Sequence, residues 1–311
     1  MNQRPHSPTL CGLLAIILWS ATYALARSIS EQIGSLTAGA CVYWMGGTFG
    51  LIYAWKKGKR ISHFNMPLKY LAVCGGLFVF YMICTYLAIG KLANRHQLLE
   101  IALINYLWPS LTILFSLFIL RKRAGWWIAP GIALAITGAV LAIFQGTEFS
   151  LRELSRNVIA NPLAYFITFL AAISWALYSN FTRKWQGQDS STSVTIFMLC
   201  TAAALTILCL FFPAETNWTA KTAVEVILLG ISVTLAYICW DIGMKKGDAT
   251  LIASCAYFTP VLSTIVSCLY LGILAGWKIW AACACVITGS ILCKTSVKKS
   301  PSEASEGQEE K

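Results

Sequence analysis

The sequence predicts an all-α membrane protein of ten transmembrane helices in two inverted five-helix repeats, on three observations. The composition is far too apolar for a soluble domain. Apolar runs of bilayer length recur along the whole chain, and a set of residues in the first half returns in the same order in the second. Hydrophobic residues make up 57% of the 311 and charged residues only 12%, where soluble domains carry about 25% charge. Spans of about 20 apolar residues with short connections leave no room for a sizeable soluble domain.

Taken in order, the first run covers residues 8–27 and carries Trp19, Tyr23 and Arg27; the polar start lacks a small-residue cleavage site, so it reads as a helix rather than a signal peptide. Runs follow at 36–55, 68–90, 97–120 and 125–145, each bounded by charge or Gly, and together 8–145 form the first unit. The second unit, 162–294, holds runs at 162–183, 193–212, 221–243, 250–271 and 277–294. Residues 295–311 are Lys, Ser and Glu with almost nothing apolar, the composition of a solvated, disordered tail.

An even number of spans puts both termini on one side. With that side cytoplasmic, it collects Arg4, the Lys56 to Lys69 cluster, Arg121 to Arg123, Arg183, Lys184, Lys245, Lys246 and the tail lysines. The opposite side keeps only Arg27, Lys91, Arg95, Arg152, Arg156, Lys221 and Lys278. Positive charge accumulates in cytoplasmic loops, so the termini are placed in the cytoplasm, and the net charge of +11 reflects topology rather than a nucleic-acid partner. Trp55, Trp126, Trp127, Trp185, Trp218, Trp277 and Trp280 fall at span ends, where indoles anchor at headgroup level. Trp19, Trp44 and Trp108 fall near span centres. All twelve Cys lie in or beside apolar runs without metal-ligand spacing and read as small core residues. Nothing in the sequence calls for a metal or a cofactor.

Trp19 is followed by Arg27 at the interval that separates Trp175 from Arg183. Span 4 carries Tyr106-Leu-Trp-Pro109 and span 9 Tyr257-Phe-Thr-Pro260, and Gly138 and Gly289 follow their prolines at equal distances. Three matches in one order suggest duplication of a five-helix unit. Five is odd, so the second copy enters the membrane from the other side, the arrangement many secondary transporters use around a midplane site.

Leu18-Trp-Ser20, the run Asn105 to Phe115 and Tyr257-Phe-Thr-Pro-Val-Leu-Ser263 resemble the drug/metabolite transporter superfamily of EamA type, and within it the YddG-like aromatic amino acid exporters. That resemblance implies a bacterial inner-membrane protein with a central cavity that exports Phe, Tyr, Trp and related metabolites. The Cys-rich second half and Asp241 near the end of span 8 depart from the pattern.

Pro109 lies near the middle of span 4, where its ring frees the carbonyl of Asn105; Pro260 does the same for Ala256. Freed carbonyls at membrane depth persist only beside protein or water. Either they join the Asn105 amide in binding a zwitterion, or Ser110 or a neighbouring helix satisfies them. Ile101, Asn105, Trp108 and Thr112 follow helical spacing on span 4, as do Trp175, Tyr178, Ser179 and Thr182 on span 6 and Trp19 and Tyr23 on span 1. With Tyr81 and Tyr257 these aromatics suit a ring-lined pocket.

Glu100 is the main ionisable group within a span. It follows His96 by one helical turn and suggests a structural pair with His96 or Arg95, with proton coupling as the other role. Asp241 reads as an interfacial pair with Lys245. Motifs for an intramembrane enzyme are missing, as are the charge ring or repeated carbonyl filter of a channel. A nucleotide-sugar carrier would place Lys or Arg, and a cationic-drug carrier Glu or Asp, in the middle of spans 1, 4, 6 and 9, where none occurs. A neutral zwitterion moving down its gradient fits best.

Overall fold

The computed structural model of the chain describes residues 6–56, 67–121, 123–143, 159–185, 190–246, 252 and 255–297. The tail beyond 297 and the side chains of Asp241 and Lys245 lie outside that set, as does any pairing between them.

Twelve helices account for ten spans among the described residues. Span 1 is α1 (His6–Ser20) with α2 (Thr22–Ile33), span 2 is α3 (Ser35–Lys56) and span 3 is α4 (Leu68–Gly90). Span 4 is α5 (His96–Asn105) with α6 (Trp108–Ile119), and span 5 is α7 (Ile128–Ile143). The second half follows as α8 (Pro162–Trp185), α9 (Ser190–Phe211), α10 (Ala220–Lys246), α11 (Thr259–Leu271) and α12 (Trp277–Ser296). Seven spans are long and apolar enough to cross a membrane unaided, and Ile128–Ala142 and Thr259–Leu271 are shorter apolar helices. The 22-residue α3 falls outside both groups. Its glycines dilute the apolar content because they face α9: a Cβ on Gly39 would meet Leu205, and one on Gly50 would meet Thr195.

Span 1 runs beyond the expected end at residue 27 to Ile33. The extra turns carry Arg27, Ser28 and Gln32, which bond to neighbouring helices, and Glu31, which pairs with Arg27 on its own helix and with Arg95 ahead of α5. Gly34 then turns the chain directly into α3 with a left-handed φ of 77°, a conformation cheap only for glycine, while its N–H caps the Ser30 carbonyl at 3.0 Å.

The helix pairings carry a symmetry. Helix α7 packs on α12 and α3 on α9; α4 packs on α8 as α10 packs on α1; α6 packs on α8 as α11 packs on α1. Exchanging the first five spans for the last five maps each pairing onto itself or onto another of the set. The contact between α7 and α12 passes through the repeated glycines. A Cβ on Gly289 would stand 2.6 Å from the Gly131 carbonyl, and one on Gly138 would stand 2.8 Å from the Ala282 carbonyl. Such close backbone approach is how membrane helices gain packing energy where lipid removes the hydrophobic drive.

Six of the seven predicted anchor tryptophans are exposed; Trp185 instead stacks on Phe181 at 4.6 Å under the Lys69 ammonium. Trp44 is exposed and donates Nε1–H to Thr206 Oγ1 at 3.0 Å.

Candidate functional site

Spans 4 and 9 are both broken at their prolines. Helix α5 stops at Asn105, α6 restarts at Trp108, and Pro109 sits in the first turn of the new helix, where its missing N–H costs nothing. Pro260 holds the same place in α11 after a turn at Tyr257 and Phe258. The break revises the expected stripe on span 4: Asn105 and Trp108 belong to different helices, so Ile101 to Thr112 is no continuous face. The two freed carbonyls also part ways. Thr259 Oγ1 donates to Ala256 O at 2.6 Å, which satisfies that carbonyl locally, whereas Ser110 turns to Ser290 Oγ at 3.2 Å and does not serve Asn105.

Around the break in span 4 stands a cluster of rings. Trp175 on α8 is its hub, with ring centroids 4.7 Å from Tyr81, 5.0 Å from Tyr178, 6.1 Å from Phe78, 6.4 Å from Tyr237 and 6.5 Å from Trp108. Tyr237 on α10 carries the cluster across to Trp19 on α1, at 5.4 Å. Asn105 is 2% exposed and donates Nδ2–H to Tyr81 Oη at 3.2 Å, while its Oδ1 has no hydrogen-bond partner.

The structure therefore brings together Trp19, Tyr81, Asn105, Trp108, Trp175 and Tyr178. Tyr23 is buried next door, with its ring 6.3 Å from Tyr106. Tyr257 stands apart from these rings, turned to α12 with the Lys294 ammonium 5.4 Å from its centroid. Phe78 and Tyr237 were not anticipated. Tyr237 follows Tyr81 at the interval separating Trp19 from Trp175, so the repeat itself carried the signal.

Glu100 is 1% exposed and accepts from Tyr165 Oη at 2.5 Å, and its other oxygen has no partner. The expected pair with His96 or Arg95 does not form. His96 is exposed at the head of α5, and Arg95 binds Glu31 at 2.6 Å, a contact that raises the guanidinium further above its ordinary value. A second buried acid, Glu225 at 2% exposure, escaped the sequence reading. It accepts from Ser28 Oγ at 2.8 Å, Gln32 Nε2 at 3.2 Å and Tyr270 Oη, with Lys221 Nζ 3.6 Å away. No group of His, Cys, Asp and Glu among the described residues is arranged to hold a metal.

Long apolar helices, small-residue seams and a mid-bundle ring cluster beside a broken helix define a polytopic α-helical membrane transporter. The profile of the EamA-like transporter family matches residues 7–144 and again 162–295. The chain belongs to that family, within the drug/metabolite transporter superfamily. It is similar to the aromatic amino acid exporter YddG of Escherichia coli strain K12, at 33% identity over 94% of this chain and 98% of that one. It is also similar to the exporters of the same name from Salmonella typhimurium, at 32%, and Ancylobacter novellus, at 31% over 91% of this chain and 96% of that one. A chain of known crystal structure, 27% identical, superposes with a TM-score of 0.67 over 93% of this chain and 97% of its own.

Proposed function

We propose that the protein exports aromatic amino acids across the bacterial inner membrane by alternating access, with both termini cytoplasmic and two oppositely oriented five-span halves around the ring cluster. The observation that carries this reading is the open Oδ1 of Asn105 among the rings of Tyr81, Trp108 and Trp175. A buried acceptor left unpaired costs about 1–3 kcal/mol, and a substrate ammonium supplies the missing donor. Each well-placed ring pair adds about 0.5–1.5 kcal/mol for a side chain that can stack. The double family match and the exchangeable helix pairings support the inverted halves, and the names of the relatives support the substrate class. Purified protein in liposomes is expected to carry labelled Phe or Trp down its gradient and into counterflow. Equal flux from empty and protein-bearing liposomes would remove the proposal.

A second reading, export coupled to proton movement, is favoured by one feature: Glu100 has an unpaired oxygen buried away from any cation it bonds. In that case adding Trp to one side drives proton flux, and Glu100→Gln abolishes the proton flux while keeping counterflow. Counterflow in the wild type with no proton movement leaves the downhill carrier as the mechanism.

A further inference from the structure

Three carboxylates that substrate recognition does not use gather at one face of the bundle, the face where α2, α4 and α11 end and α5, α8 and α10 begin. Glu225 on α10 holds Ser28 and Gln32 of α2 and Tyr270 of α11. Glu31 on α2 bridges Arg27 at 2.9 Å and Arg95 at 2.6 Å. Those two guanidiniums also clip helix ends: Arg27 Nη1 donates to Ile89 O at 3.0 Å and Arg95 Nη1 to Leu271 O at 2.8 Å. Both carbonyls lie in the last turn of a helix, where cations are favoured. Glu100 joins α5 to Tyr165 of α8. Spans 1, 3, 4, 6, 8 and 9 are thus tied together at this face, and five of the six carry the ring cluster.

The repeat makes the opposite face a control. At the intervals that relate Trp19 to Trp175 and Pro109 to Pro260, Glu31 corresponds to Gly187, Glu225 to Lys69, Glu100 to Leu251, Tyr165 to Thr9 and Tyr270 to Ile119. Arg27, Gln32 and Arg95 return as Arg183, Gln188 and Lys246, but neither the acids nor their tyrosine donors have counterparts. We infer that these carboxylates form a one-sided latch, and that the transporter rests with the latched face shut. The inference rests on the inverted halves proposed above, whose topology makes that face periplasmic. Exported substrate would then enter the resting protein from the cytoplasm, and release would require the latch to part.

The test is backbone hydrogen–deuterium exchange of the full chain in liposomes, which needs neither substrate nor a known membrane orientation. In the wild type, residues 24–33 and 266–271 are expected to exchange more slowly than the opposite ends of the same spans. Glu225→Gln is expected to speed exchange there about tenfold or more, with the opposite ends unchanged. Tyr270→Phe, which removes one donor and keeps the ring, is expected to do the same to a smaller extent. Equal protection at the two faces, no local change in either variant, or a uniform rise across all spans would overturn the latch. Protease access to the termini is read separately: termini outside the cell would reverse the proposed topology and leave the latch standing.

Discussion

Asn105 is a polar residue costly to the fold, and on the proposed reading that cost is what fits it to bind substrate. Its amide is oriented by Tyr81 and leaves one acceptor open inside a wall of rings. Asn105→Ala is expected to raise the half-saturating concentration for Trp about tenfold, the scale of one hydrogen bond to a charged group, with little change in maximal rate. Trp108→Ala should weaken aromatic substrates more than aliphatic ones, and competition assays with Phe and Leu separate the two effects. The position of Asn105 and Trp108 at the break in span 4 was legible from their place beside a mid-span proline. Glu225 was not, because a carboxylate five residues inside a span reads as an interfacial group until its four partners, drawn from three helices, are seen. The Glu100 partner was misread for a related reason: helical spacing names neighbours on the same helix, and Tyr165 comes from another.

At the scale of elements, each apolar run of the sequence coincides with a helix or a broken helix pair among the described residues, while several ends differ. Polar turns such as Arg27 to Gln32 stay helical in the bilayer when neighbouring helices satisfy them, and no single-chain pattern reports that. The prolines were read well as breaks, yet the local fate of each freed carbonyl depended on the next hydroxyl: Thr259 reaches back, Ser110 turns away. The repeated glycines were legible as a motif, and the structure supplies their purpose as the seam between α7 and α12. Gly289→Val forces a branched side chain against backbone on α7. It is expected to cost about 1–3 kcal/mol, as overpacking does, and to lower the melting temperature in detergent. Ile291→Val, on the exposed side of the same helix, is the matched control and should change little.

For the whole molecule, the class of protein was legible from composition alone, and the family match in two blocks agrees with the duplication read from a few recurring residues. The orientation argued from the distribution of Lys and Arg makes a direct prediction. Reporter fusions at the connections after α2, α4, α7, α9 and α11 are expected to score periplasmic, and fusions after α3, α6, α8 and α10 cytoplasmic. The reverse pattern would refute it.

The exposed indoles carry one more consequence. Trp55, Trp126 and Trp127 ring one end of the spans and Trp218, Trp277 and Trp280 the other. Amphipathic rings resist leaving the headgroup zone, so the two belts set a preferred hydrocarbon thickness. A bilayer of much shorter or longer acyl chains must stretch or thin, or the protein must tilt, to match them, which makes lipid chain length a control on turnover in reconstituted vesicles.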